Sequence, residues 1–174
     1  QSLGALDWNA GGDTVVAGCE AEGGHHVCVI DIQRALVSTL GGALSASGEP
    51  VYPSWWLSDI VAGTQVVNPS GGLVDTLPAP GRVSPDGRRV ATISNRQVAV
   101  VNVGGGNPTV LAEGPATKGF PVWSPDGERL LYTVAPGDAG LYLNIARVDG
   151  GAAYRLIDEP IAAGPSTRPE RIET

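Results

Sequence analysis

Apolar and polar residues alternate along the chain in short runs, each closed by a cluster of Gly, Pro, Asp or Ser. From Arg129 to Val134 the pattern is plainest. Leu130, Tyr132 and Val134 share one face of an extended segment, because successive strand side chains point to opposite sides. Such runs, bounded by turn residues, predict β-strands along the whole chain. In the last such group the strands are Phe120 to Trp123, Arg129 to Val134, Leu141 to Val148 and Ala153 to Ile157. The group before it repeats this as Val83, Arg89 to Ser94, Gln97 to Val103 and Thr109 to Leu111.

Two landmarks show that these groups are copies of one unit. Ser84-Pro85-Asp86-Gly87 and Ser124-Pro125-Asp126-Gly127 lie forty residues apart between the first and second strands. A Gly-Gly pair with Leu six residues after its first Gly occurs at Gly71 with Leu77, Gly105 with Leu111 and Gly150 with Leu156. Leu40 fills the same place in an earlier unit. These leucines are 37, 34 and 45 residues apart, so four units are counted. Repeats of this length made of four strands predict propeller blades. Their expected spans are 3–40, 50–77, 82–111 and 120–157, within one propeller region over 1–160. Residues 161–174 form a tail that faintly repeats the start of a further blade.

The two earlier units are looser. Trp8-Asn9-Ala10-Gly11-Gly12-Asp13 stands where Trp123-Ser124-Pro125-Asp126-Gly127 stands later, followed by strands from Thr14 to Cys19 and Val27 to Ile32. In the second unit Tyr52 to Trp56 leads to Asp59 to Ala62, and Thr64 to Asn68 returns after a tight turn.

The Ser-Pro-Asp-Gly phrase reads as turn chemistry. Pro presets φ near −65°, Asp accepts from nearby backbone N–H groups, and Gly takes a φ that other residues resist. Asp86, Gly87, Asp126 and Gly127 are therefore expected to be structural and not catalytic.

Taken together, apolar-Trp-Ser-Pro-Asp-Gly, an apolar strand, a Tyr- or Val-centred strand and Gly-Gly-x4-Leu resemble the TolB-like family of WD-type β-propellers. The resemblance is specific in residues 80–157 and looser in residues 3–77. It implies a propeller fold and a periplasmic, secreted or cell-surface setting. It implies no single activity, because the same blades serve docking proteins, sensors and the gating domains of prolyl-oligopeptidase-like enzymes. Such propellers carry six to eight blades, so four blades are expected to belong to a larger propeller or to be completed by another chain. The rival expectation is a small closed propeller of four blades.

Composition agrees with a folded domain rich in turns. Gly and Pro together supply 39 of 174 residues, against an average of about 12%. The net charge of −7, with Arg88-Arg89 as the densest basic spot, argues against a nucleic-acid partner. No apolar run approaches the roughly 18 residues of a membrane helix. The chain has no Met and begins at Gln1. That start suits a mature secreted protein and equally a segment of a longer one.

Candidate chemistry is sparse. Cys19 and Cys28, the two cysteines, flank a hairpin turn at Gly23-Gly24 and are expected to form a disulfide across neighbouring strands. His25 and His26 stand beside them, but adjacent strand residues face opposite ways and no zinc spacing is present, so no metal site is assigned. No Gly-x-Ser-x-Gly elbow, phosphate loop or dinucleotide fingerprint is found, and no cofactor is expected. Trp55 and Trp56 are read as a pair packed between sheets, or as a possible interaction surface if one of them faces solvent. The function expected from these features is a non-catalytic extracytoplasmic propeller, an interaction or scaffold subunit with a protein partner or further blades, in a homo- or hetero-oligomer. The alternatives are an accessory propeller of a prolyl-oligopeptidase-like hydrolase and a ligand-sensing propeller.

Overall fold

A computed structural model describes residues 6–21, 24–40, 52–137 and 140–161. The tail resembling a further blade lies, past its first residue, outside the described residues. Sixteen strands form four antiparallel sheets of four, each built from strands consecutive in sequence. The first sheet holds β1 (Leu6–Trp8), β2 (Thr14–Ala21), β3 (Gly24–Asp31) and β4 (Leu36–Thr39). The second holds β5 (Ser54–Trp56), β6 (Asp59–Ala62), β7 (Gln65–Val67) and β8 (Leu73–Thr76). The third holds β9 (Arg82–Val83), β10 (Arg89–Ser94), β11 (Gln97–Asn102) and β12 (Thr109–Ala112). The fourth holds β13 (Thr117–Trp123), β14 (Arg129–Ala135), β15 (Tyr142–Arg147) and β16 (Tyr154–Arg155).

These are four propeller blades, and the fold is all-β as the repeats imply. Differences from the sequence reading lie at strand ends. Strand β13 begins three residues earlier than Phe120, and β16 keeps only two residues. Strands β2 and β3 run longer than expected because they pair in full register from Thr14↔Asp31 to Ala21↔Gly24.

The chain divides into two compact units, residues 1–83 with 103–105 and residues 84–102 with 106–174. In the first unit, Val16, Val27, Val29 and Leu40 of blade 1 pack with Ile60, Ala62 and Val67 of blade 2, and Trp55 lies against them. In the second, Ala91, Val98, Val100 and Leu111 of blade 3 pack with Leu130, Tyr132, Ala146 and Val148 of blade 4, and Trp123 lies against them. Each core is thus a contact between two blade faces. The positions match between the two cores: Val16 and Ala91 are equivalent, as are Val29 and Val100, and Leu40 and Leu111.

Candidate functional site

Two of the repeat's turns have the same wiring. In blade 3 the Ser84 N–H donates to Arg89 O at 2.8 Å and the Gly87 N–H to Ser84 O at 2.8 Å. The Ser84 hydroxyl donates to Asp86 Oδ1 at 2.5 Å and accepts from the Arg89 N–H at 3.0 Å. Asp86 Oδ1 also accepts from the Arg88 N–H at 3.2 Å. Blade 4 repeats this through Ser124, Asp126, Glu128 and Arg129. Gly87 and Gly127 sit at φ 73° and 70°, where a Cβ is strained. Hydrogen bonds from Ser84 and the Arg88 N–H hold the Asp86 carboxyl below its ordinary value, and Ser124 and the Glu128 N–H do the same for Asp126.

Blade 1 builds the same backbone turn with other side chains. The Asn9 N–H donates to Thr14 O at 2.9 Å and the Gly12 N–H to Asn9 O at 3.1 Å. The Asn9 amide oxygen accepts from the Thr14 N–H at 3.1 Å, the place taken by the serine hydroxyl in blades 3 and 4. Its amide nitrogen donates to Asp13 Oδ1 at 2.7 Å, so the carboxylate has moved from the third to the fifth turn position. Bonds from Asn9 and Thr14 lower the Asp13 carboxyl as well. The sequence reading saw a degenerate turn here, because an amide and a displaced carboxylate do not resemble Ser-Pro-Asp-Gly as letters.

Cys19 and Cys28 form a disulfide, with Cα atoms 5.9 Å apart. They are not directly opposite. Cys19 pairs with His26, and Cys28 with Ala17, so the bridge is a diagonal one on a single face of the sheet. Diagonal neighbours on one face come within reach in a twisted sheet. His26 is buried with neither ring nitrogen hydrogen-bonded, while His25 lies on the opposite face, across from Glu20. Among the described residues no three His, Cys, Asp or Glu side chains gather as metal ligands would.

Trp55 and Trp56 are both half-buried. Trp55 packs on the first unit's core, its backbone N–H donates to Asp7 Oδ2 at 2.9 Å, and Arg82 reaches the same oxygen at 3.8 Å. Both indole nitrogens are buried with no hydrogen-bond partner. Trp55 also lines a groove of about 590 Å³ with Val29, Leu36, Leu57, Asn9 and Asp31. Leu57, at the tip of the β5–β6 turn with φ 57°, is 77% exposed. The sequence reading passed over Leu57, since one apolar residue between Trp56 and Ser58 breaks no period.

Two basic side chains brace blades 3 and 4: Arg89, noted in the sequence only as half of the Arg88-Arg89 pair, and Lys118, which no sequence pattern marks. Arg89 donates to Gly127 O at 2.9 Å and lies over the Trp123 ring, 5.4 Å from its centre. Lys118 donates to the carbonyls of Arg96, Ala116 and Gly114 at 2.7, 3.1 and 3.2 Å, and burial pushes its ammonium below the ordinary lysine value.

The chain matches no protein-family model. It is 36% identical over 88 residues to an uncharacterized peptidase, YuxL, of Bacillus subtilis strain 168; the match takes in 48% of this chain and 13% of that protein. Among solved structures it is similar to TolB from Acinetobacter baumannii, with a TM-score of 0.67 and 18% identity over 84% of this chain and 41% of the other. It is also similar to a protein from Lactobacillus plantarum, with a TM-score of 0.54 and 17% identity over 90% of this chain and 55% of the other. The chain therefore spans well under two thirds of each of these proteins. Four sheets of four consecutive strands, wired by repeated turns and superposable on TolB, make this a chain of TolB-like β-propeller fold.

Proposed function

We propose that the chain is a non-catalytic, extracytoplasmic propeller module that works as an interaction or scaffold subunit. The observation that carries this reading is the number of large apolar side chains that rigid strands and tight turns hold in solvent. Leu36 and Val37 on β4, Leu73 and Val74 on β8, and Leu57 are all exposed. Exposed apolar groups on a rigid scaffold mark contact surfaces more often than they mark chemistry. The carboxylates of the three equivalent turns support the same reading, since each accepts hydrogen bonds from its own turn. The Cys19–Cys28 disulfide supports an oxidising compartment.

A photo-crosslinking residue placed at position 57, in the native host, tests the reading. A discrete protein adduct that disappears on Leu73→Asp or Val37→Asp is expected; a chain that gives no adduct at position 57 or at position 74 speaks against it.

One observation favours a second reading, that of an accessory propeller in a serine hydrolase: the identity to the Bacillus peptidase. Labelling of the native polypeptide by a fluorophosphonate, at a mass above 17.8 kDa and recognised by antibody to this chain, would establish that reading and displace the first.

A further inference from the structure

The junctions inside the two compact units share one plan but are filled differently. Between blades 3 and 4 the Arg89 guanidinium donates to Gly127 O at 2.9 Å and lies over Trp123, 5.4 Å from the ring centre. Between blades 1 and 2, Trp55 takes the place of Trp123. It pairs with Ile60 as Trp123 pairs with Leu130, and each tryptophan packs on the core of its own unit. Thr14 is the counterpart of Arg89, since the Asn9 N–H donates to Thr14 O as the Ser84 N–H donates to Arg89 O. Thr14 carries no cation, and among the described residues none lies over the Trp55 ring.

Two further differences open this space and change its charge. Four residues separate Trp55 from Ile60 where six separate Trp123 from Leu130, so the blade 2 turn is two residues shorter. The residue paired with Thr14 is Asp31, whereas the one paired with Arg89 is Asn102. A cation has thus been lost and a carboxylate gained. The space is the groove of about 590 Å³ lined by Trp55, Thr14, Leu36, Leu57 and Asp31, and Asp31 is its one charged lining residue among those described. All of them belong to the first compact unit. Arg34 reaches Asp31 at 3.0 Å, but its side chain is 77% exposed, and a bridge so open to water contributes little. A carboxylate has about four acceptor positions, so Asp31 has room for a second donor. Leu57 stands beside the groove at φ 57°, a conformation that costs a leucine energy, and strain kept at an exposed turn points to function.

We propose that the groove between blades 1 and 2 receives an arginine side chain from a protein partner, its guanidinium over Trp55 and paired with Asp31, its apolar neighbours against Leu36 and Leu57. The proposal rests on the interaction-module reading and names the chemistry of the partner for it. The occupant is the group that the chain itself places at the equivalent position between blades 3 and 4. Guanidinium suits the groove better than ammonium, because its planar fork stacks on an indole while its edge donates to a carboxylate.

A capped peptide, acetyl-Ser-Leu-Arg-Leu-Ser-amide, titrated into the whole chain tests this, with the indole N–H signals followed in proton–nitrogen correlation spectra. The Trp55 signal, identified by its loss in Trp55→Phe, is expected to move and saturate. The same peptide with citrulline for arginine keeps the shape without the charge and is expected to bind at least about tenfold more weakly. Asp31→Asn is expected to weaken the arginine peptide by a similar factor. Thr14→Arg sets a guanidinium where blade 3 has Arg89, and is expected to abolish binding by filling the groove from within. Dispersed spectra and a cooperative melt verify that each variant is folded; should Thr14→Arg fail that check, Ser38→Arg on the exposed outer strand β4 fills the groove instead. Equal affinity for the citrulline peptide overturns the proposal. So does binding that is undiminished in Asp31→Asn or in the filled groove, or an arginine peptide that leaves the Trp55 signal unmoved at millimolar concentration. Adducts at position 57 report on the interaction reading itself. An adduct there beside a peptide that does not bind sinks the arginine inference and leaves that reading standing, so the two ideas fail separately.

Discussion

Blades 3 and 4 share their turn wiring, their strand order and their landmark residues, yet three consecutive residues of β10 are buried while burial along β14 alternates. Ala91 is fully buried where its equivalent Leu131 is half-exposed, and Leu111 is buried where Leu156 is not. The larger side chains therefore occur on the less covered face. A repeat unit's fold is thus set by its own turns and pairing, while its stability and its stickiness are set by its neighbours.

The sharpest way to break this comparison is within a single strand. Leu130→Ala removes a fully buried side chain from the blade 3–blade 4 core and is expected to cost about 3–4 kcal/mol, the usual range for a Leu cavity. Leu131→Ala, one residue on and facing the other way, is expected to cost about 1 kcal/mol or less in the isolated chain. Urea unfolding monitored by tryptophan fluorescence measures both; equal losses would mean that the two faces are covered alike.

The landmark leucines offer the same contrast between blades. Leu111→Ala is expected to destabilise by about 2–3 kcal/mol, and Leu156→Ala by less than about 1 kcal/mol. Thermal melts of the two variants side by side should show the first shifted and the second nearly unmoved.

Arg89 tests how much of the covered junction is polar. Its bond to Gly127 O and its place over the Trp123 ring are lost together in Arg89→Ala, for an expected cost of about 1–2 kcal/mol. Arg89→Lys keeps the charge over the ring but loses the planar fork, and is expected to fall between the two. If Lys behaves as Ala does, the hydrogen bond and not the ring contact is what matters.

Turns and strand count were legible in the sequence because both depend on neighbours close along the chain. Gly87 and Gly127 announce a positive φ, and Leu130, Tyr132 and Val134 announce a face. The diagonal bridge was less legible. Cys19 and Cys28 flank a hairpin, but their register depends on where the turn closes, and pairing Ala21 with Gly24 offsets them by two positions. The Asn9 turn was hidden for a different reason, since an amide oxygen does the work of a serine hydroxyl. The open face of blade 4 was least legible of all. Leu131 and Ala91 occupy equivalent places in the pattern, and it is the packing of blade 4 residues against Ala91 that distinguishes them.

The smallest expected effect concerns what blades 3 and 4 have in common. Bonds from Ser84 and the Arg88 N–H depress the Asp86 carboxyl, as those from Ser124 and the Glu128 N–H depress Asp126. A carboxyl that is more acidic folded than unfolded adds stability above its unfolded value of about 3.9. That contribution disappears as the pH falls through the lower, folded value, so it appears as an acid limb below about pH 4. Both carboxylates are exposed, and the limb should be shallow. Asp86→Asn and Asp126→Asn each keep an acceptor for the turn but remove the titrating group, so each should flatten the fall of the melting temperature below about pH 4 by a similar amount. Equal flattening would place the difference between the two blades in their packing alone. A larger effect at Asp126 would mean that blade 4, with the more exposed middle strand, leans more on its turn than blade 3 does.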